Sequence, residues 1–167
     1  RLIYHPRTSA RNDLHNVKAS AQIPLLLPPL LPESILFPLP QSGRCLVMLQ
    51  FWLLFEDDTL IAFVDGMVTD QEDLTDEMYE NASMHQENGA WQMIFGVNTL
   101  PAYRNHGYAG ELLKRAIADA KDQGRKGLVL TCKDRLGHYY AKFGFENEGV
   151  SESVHGNIVW NQMRLKF

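Results

Sequence analysis

Residues 91–110 read Trp91-Gln92-Met93-Ile94-Phe95-Gly96-Val97-Asn98-Thr99-Leu100-Pro101-Ala102-Tyr103-Arg104-Asn105-His106-Gly107-Tyr108-Ala109-Gly110. The apolar run 93–97 predicts a buried strand. A proline-containing connection follows, then a helix. Its apolar residues Ala109, Leu112, Leu113, Ala116, Ile117 and Ala120 form one stripe of 3.6-residue period. A glycine-containing turn feeding a helix leaves the first N–H groups without intrahelical partners, and the helix dipole adds partial positive charge there. Such a turn can hold a phosphate or diphosphate. Gly107 and Gly110 let ligand oxygens approach the main chain, and Arg104 adds a full charge at the rim. No Gly-Lys-Ser/Thr follows the glycines, so this is not a Walker loop, and the dinucleotide fingerprint is missing as well. A plain loop that starts a helix explains these residues equally well on local grounds.

The next segment separates the two readings. Gly124 suits a helix C-cap, and 127–132 is a short apolar strand. Residues 133–145, Lys133-Asp134-Arg135-Leu136-Gly137-His138-Tyr139-Tyr140-Ala141-Lys142-Phe143-Gly144-Phe145, predict a short helix ending at Gly144. In this order the elements resemble the GNAT superfamily of acetyl-CoA-dependent N-acetyltransferases. Arg104-x-x-Gly107-x-Ala109 matches its Gln/Arg-x-x-Gly-x-Gly/Ala loop, and Tyr139 to Phe145 matches its Phe-Tyr-x-x-x-Gly-Phe helix. Leu130-Thr131-Cys132-Lys133-Asp134, with Tyr140 beyond, is most similar to the serotonin (arylalkylamine) N-acetyltransferase branch. The resemblance runs from about residue 51 to 167.

It implies an α/β (α+β) fold: a mixed, mostly antiparallel central sheet with helices on both faces and splayed central strands. It implies acetyl-CoA as co-substrate and direct transfer of acetyl to a primary amine, most simply a small molecule. A protein or peptide acceptor, or a non-catalytic acyl-CoA-binding domain, are the alternatives. By position, Phe95, Gly96 and Val97 take the strand contacts to the pantetheine and thioester. Arg104, Asn105, His106, Gly107, Tyr108, Ala109 and Gly110 form the diphosphate loop, and Cys132 lies on the strand that splays away. Tyr140 matches the family's general acid, and a phenol with pKa near 10 keeps its proton at neutral pH. Tyr139, its neighbour, is expected to pack. The serotonin branch places two histidines on the central strand, where this chain has Trp91 and Met93. Substitutes for the base are His155, a carboxylate such as Asp65 or Asp70, or a relayed water. Trp91 and Trp160 could line an aromatic pocket, with core packing the simpler role for each.

The chain's 167 residues suit one domain with a sizeable core. Cys45 and Cys132 stand in apolar runs without metal spacing, which predicts buried reduced thiols and no metal site. No uninterrupted apolar stretch is long enough to span a bilayer and no signal-peptide core opens the chain, so a soluble cytoplasmic protein is expected. Charge is unevenly spread. From Cys45 to Tyr103 there are eleven acids and no Lys or Arg, whereas the remainder holds sixteen basic residues against nine acids. In the fold that the resemblance implies, the basic part carries the diphosphate loop and the acidic part carries part of the acceptor side, which would give each reactant a complementary field. The same distribution argues against nucleic acid. A homodimer stays open.

Residues 2–7 predict a strand, and Asn12 or Asp13 a helix cap. Segments 51–56 and 60–68 predict a hairpin turning at Asp57-Asp58-Thr59. Residues 74–86 predict a helix turned outward with its acids, and 145–154 with 158–166 a second hairpin about His155-Gly156-Asn157. One stretch resists the pattern. Six prolines (Pro24, Pro28, Pro29, Pro32, Pro38 and Pro40) and a single charge, Glu33, stand between Ala21 and Gln41. Proline removes the N–H donor and clashes with the preceding turn, which excludes a regular helix. The segment 21–50 is therefore atypical of the family. About thirty residues read out of frame, or a loop of this lineage, are the two explanations.

Overall fold

The computed structural model describes residues 50–167. The expected strand at 2–7, the helix cap at Asn12 or Asp13, the proline-rich segment up to residue 49 and Cys45 lie outside them. Strand β1 (Gln50–Glu56) pairs antiparallel with β2 (Thr59–Thr69) across a turn in which Asp57 takes φ 50°. Aspartate tolerates that left-handed conformation because its short side chain bonds locally. Strand β3 (Trp91–Thr99) runs antiparallel to β2, and β4 (Gly127–Cys132) runs parallel to β3. Strand β6 (Asn161–Lys166) pairs with β4, and β5 (Glu146–Val150) closes the edge, giving the order β1-β2-β3-β4-β6-β5.

The β3–β4 step is the parallel junction, and a parallel pair needs a long crossover. Helix α2 (Tyr108–Asp122) supplies it. Its expected stripe is the buried one: Leu112, Leu113, Ala116 and Ala120 pack on Val64, Ile94, Leu128 and Leu130 of the sheet. Fully enclosing a leucine such as Leu113 contributes about 1.5–3 kcal/mol. Gly124, at φ 73°, donates to the Lys121 carbonyl while the Arg125 N–H returns to Ala120, which ends the helix. Helix α3 (Gly137–Ala141) follows a single 3₁₀ turn and adds Tyr140 to the same core, which Phe145 joins just beyond the helix.

Two irregularities position the site. The β3–β4 ladder stops at Ile94 and Leu130, so beyond them the strands part as expected. Opposite Asp65 and Gly66, β3 carries one extra residue, Phe95, a β-bulge that bends the strand and resets its alternation. Ile94 and Val97 consequently both turn to α2, whereas Phe95 joins Met93 on the other face.

That other face departs from expectation. In place of one helix over 74–86 there are a single turn, α1 (Glu77–Glu80), and a 3₁₀ turn at Ala82–Met84. Asn81 stands between them at φ −112°, ψ 88°, and its side chain accepts from the Ser83 N–H. An asparagine that binds its own backbone competes with helix continuation. Nor does the segment simply face outward, because Leu74 and Met78 are buried against Met67, Trp91 and Val129. The second hairpin is shorter than expected as well. Asp76 accepts from the Val154 N–H and the Ser153 hydroxyl, which draws 153–157 out of the ladder into a 3₁₀ turn, His155–Asn157. No helix among the described residues is long and apolar enough to cross a membrane.

Candidate active site

The turn before α2 has the shape of an anion cradle. Asn105 and Gly107 both take positive φ, 65° and 86°, and Gly107 caps the helix with no side chain. The first main-chain acceptor bond into the helix runs from Glu111 N–H to Gly107, so the amides of Tyr108, Ala109 and Gly110 have no intrahelical partner. Alternating backbone of this kind aims successive N–H groups at one point. A Cβ at Gly107 would meet nothing within 4 Å, so the approach is open. Arg104 is exposed, with its Nε 3.4 Å from the Thr99 carbonyl. His106 is held by a 2.8 Å contact to the Arg104 carbonyl and stacks on Tyr108 at 5.7 Å. Gly110 serves packing too. A Cβ there would lie 3.1 Å from the Phe143 ring, so its bareness lets α3's C-terminal end settle against α2.

A groove of about 380 Å³ leads away from this turn, bounded by Val97, Asn98 and Thr99 of β3, the loop at 103–107, the start of α2, and Tyr139. Its direction follows from the parted strands. From Phe95 onward the edge of β3 that turns toward β4 has no ladder partner, so its amides and carbonyls face the opening. Thr131 and Cys132 continue the opposite arm. Tyr140 is buried near the end of that arm, edge-on to Tyr139 at 5.2 Å and to Phe145 at 6.1 Å. Burial, with smaller contributions from Cys132 and Tyr139, pushes its phenol well above the ordinary value. Burial first and then Asp134 raise the Cys132 thiol as well. Both groups therefore hold their protons at neutral pH.

The opposite face of the opening carries a second set of polar groups. Asp65 is 5% exposed, and its Oδ1 has no hydrogen-bond partner among the described residues. Burial pushes its carboxyl up to about 7, only partly offset by a bond from its own main chain. The carboxylate lies over Gly96, where a Cβ would come within 2.4 Å of Oδ1. Tyr79 rests on Phe95 of β3 at 4.6 Å, and burial raises its phenol, partly offset by the Thr131 side chain of β4. His155 stacks on Tyr79 at 6.0 Å.

Several expected residues thus converge. Val97, Arg104, Asn105, Gly107, Tyr108 and Ala109 border one groove, while Phe95, Gly96 and Cys132 lie along the strands that part beside it and Tyr140 stands on α3 near Cys132. Tyr139, expected only to pack, lines the groove as well. Asp70 is exposed and accepts from the Ala90 N–H, so it is engaged elsewhere. Trp91 and Met93 belong to the core, with the Arg164 guanidinium 4.7 Å above the Trp91 ring. Trp160 donates to the His155 carbonyl at 2.9 Å. Tyr79 was not legible as a site residue: it sits in an acid-rich stretch with no motif, and the adjacent Met78 is its one hint of burial. Among the described residues no group of three His, Cys, Asp or Glu could hold a metal ion.

Parted parallel strands beside an uncapped, glycine-turned helix are the arrangement of the acetyltransferase (GNAT) family, whose model matches residues 32–145, and the chain belongs to that family. Among curated proteins it is similar to the serotonin N-acetyltransferase of Mesocricetus auratus, 28% identical over 111 residues, covering 66% of this chain and 52% of that protein. The Pan troglodytes serotonin N-acetyltransferase is 26% identical over 110 residues, covering 65% and 52%. The chain spans about half the length of the curated relatives it matches. Among solved structures, a GNAT family acetyltransferase from Elizabethkingia anophelis with acetyl-CoA bound superposes with a TM-score of 0.57 at 15% identity, over 99% of this chain and 98% of that one. A GNAT family acetyltransferase from Streptococcus pneumoniae gives 0.53 at 21% identity, over 71% and 66%. Those two likenesses concern the fold alone.

Proposed function

We propose that this protein transfers the acetyl group of acetyl-CoA to a primary amine, most simply on a small molecule, by direct attack and without an acyl-enzyme stage. One observation carries the reading: the uncapped amides of Tyr108, Ala109 and Gly110 open onto a groove that ends at the unpaired edge of β3. The amides and Arg104 hold the diphosphate, a doubly charged group suited to a helix N-terminus. The β3 edge from Phe95 to Val97 hydrogen-bonds the pantetheine and offers an N–H to the negative charge that develops on the thioester oxygen. When bound, acetyl-CoA supplies an activated acyl group on a sulfur leaving group. Tyr140 gives its proton to the departing sulfur; burial raises its pKa, which keeps that proton on the phenol at neutral pH until the thiolate leaves.

Calorimetric titration with acetyl-CoA, followed by CoA release on a panel of amines and peptides, tests this. Gly107→Val introduces a β-branched side chain at φ 86° into the open approach and is expected to abolish acetyl-CoA binding while the fold persists by circular dichroism. Unchanged affinity in that variant contradicts the reading. Binding without turnover on any acceptor identifies an acyl-CoA-binding module instead, and turnover on peptides alone moves the acceptor to protein.

A further inference from the structure

Resting on that acetyl-transfer reading, one task is left without a residue: removal of a proton from the attacking amine. The core positions Trp91 and Met93 cannot accept one, and Asp70 is occupied by the Ala90 N–H. Three observations single out one carboxylate. Asp65 is enclosed, yet its Oδ1 has no partner among the described residues, a costly state for a polar atom. That oxygen lies over Gly96, two residues past the last β3–β4 pair, where a Cβ would come within 2.4 Å of it, so only a glycine leaves room beside it. By strand alternation its side chain also lies on the sheet face opposite Val64, which packs toward α2, so the diphosphate loop and Asp65 belong to opposite faces of the sheet.

We propose that Asp65 is the general base of the reaction, its Oδ1 taking the proton of a primary ammonium delivered to the gap from the Tyr79 face. The groups near it are consistent with that task. Tyr79 of α1 lies close enough to feel its charge, Thr131 of β4, Asp76 and the His155 ring lie about Tyr79, and Asn98 of β3 borders the same Gly96 position. None of these is a Lys or Arg that would neutralise Asp65 before the substrate does. The step balances. Asp65 accepts one proton from the ammonium and later releases it to solvent. The nitrogen lone pair forms the N–C bond as the C–S bond breaks. Tyr140 protonates the sulfur and recovers, through water, the second proton lost by nitrogen. Burial, which holds the carboxyl near 7, places this acceptor where Brønsted matching at neutral pH is best.

Asp65→Asn keeps the shape and removes the base. Wild-type kcat/KM is expected to rise with pH through about 7 to a plateau. In the variant kcat falls by about 100-fold or more and that limb disappears, with acetyl-CoA affinity by calorimetry unchanged. A merely structural role would move affinity and leave the limb. Independently, the carbon-13 carboxyl resonance that Asp65→Asn deletes from the spectrum of aspartate-labelled protein should titrate near 7. A variant that retains the rate and the limb, or a resonance titrating at an ordinary aspartate value, overturns the assignment while leaving acetyl transfer intact. A wild-type protein that acetylates no amine overturns both.

Discussion

A carboxylate enclosed without a partner weighs against the folded state, and Asp65 has its folded pKa near 7 against an ordinary 3.8. Because the folded value is the higher one, the favourable contribution is complete below about 3.8 and is lost as pH rises through 7. Asp65→Asn should therefore match wild type at pH 4 and exceed it at pH 8. The gain is of order 1–4 kcal/mol, since each tenfold change in proton affinity is worth roughly 1.4 kcal/mol, and urea melts at the two pH values read it directly. A gain in stability that accompanies a loss in rate is the signature expected of a residue kept for chemistry. Tyr140 behaves oppositely. Its raised phenol stays protonated throughout the working range, so kcat should show no decline from its ionisation up to about pH 10. Tyr140→Phe should lower kcat by about 100-fold with little change in acetyl-CoA affinity, as stopped-flow CoA release would report. Tyr140 could be singled out from its spacing to Phe143-Gly144-Phe145, whereas nothing in the letters around Asp65 distinguishes it from Asp70. Only burial does that, and burial is set by the strands on either side.

At the scale of elements, short pieces on the Trp91 side of the sheet are pinned by one cation. Arg164 of β6 is 7% exposed, donates to Glu148 of β5 at 2.8 Å and to Asp73 and the Glu72 carbonyl at 2.6 Å, and covers the Trp91 ring. Arg164→Ala should cost about 1–3 kcal/mol, seen as a lower urea midpoint, because bonds to charged groups are lost while the freed carboxylates reach water. Glu148 is depressed below its ordinary 4.5, chiefly by the bond from Arg164. Its contribution is thus complete above about 4.5 and lost as pH falls further, and Glu148→Gln should flatten that acid limb of the stability curve. The elements α2 and β3 were readable because each carries its own local apolar signal, a stripe of 3.6-residue period in α2 and an unbroken apolar run in β3 whose first residues are buried on both faces. The segment 74–86 was not, since its acids suggested a solvated helix while Asn81 and the long-range Asp76 bonds to 153–154 broke it into turns. Local pattern cannot foresee a partner some eighty residues away.

For the whole molecule, charge is divided as the composition is: the acid-rich part comprises β1, β2, α1 and β3, and α2 begins where the basic part does. Encounter of a cationic amine should be steered accordingly. Raising ionic strength from about 0.01 to 0.15 M shortens the screening length from roughly 30 to 8 Å, so kcat/KM for a cationic amine should fall while kcat stays level. A flat salt dependence in steady-state kinetics would count against a role for the acidic half in capture. The amino-acid sequence by itself determined the α/β class, the α2 stripe, the glycine turn at its start and the family to which these belong, because each depends on neighbours within a few residues. Only the tertiary structure decided where β3 and β4 part, which carboxylate oxygen is left without a partner among the described residues, and that Tyr79 rests on Phe95 of β3. Those features arise from ladder register and burial, and both are properties of chains brought together from distant positions.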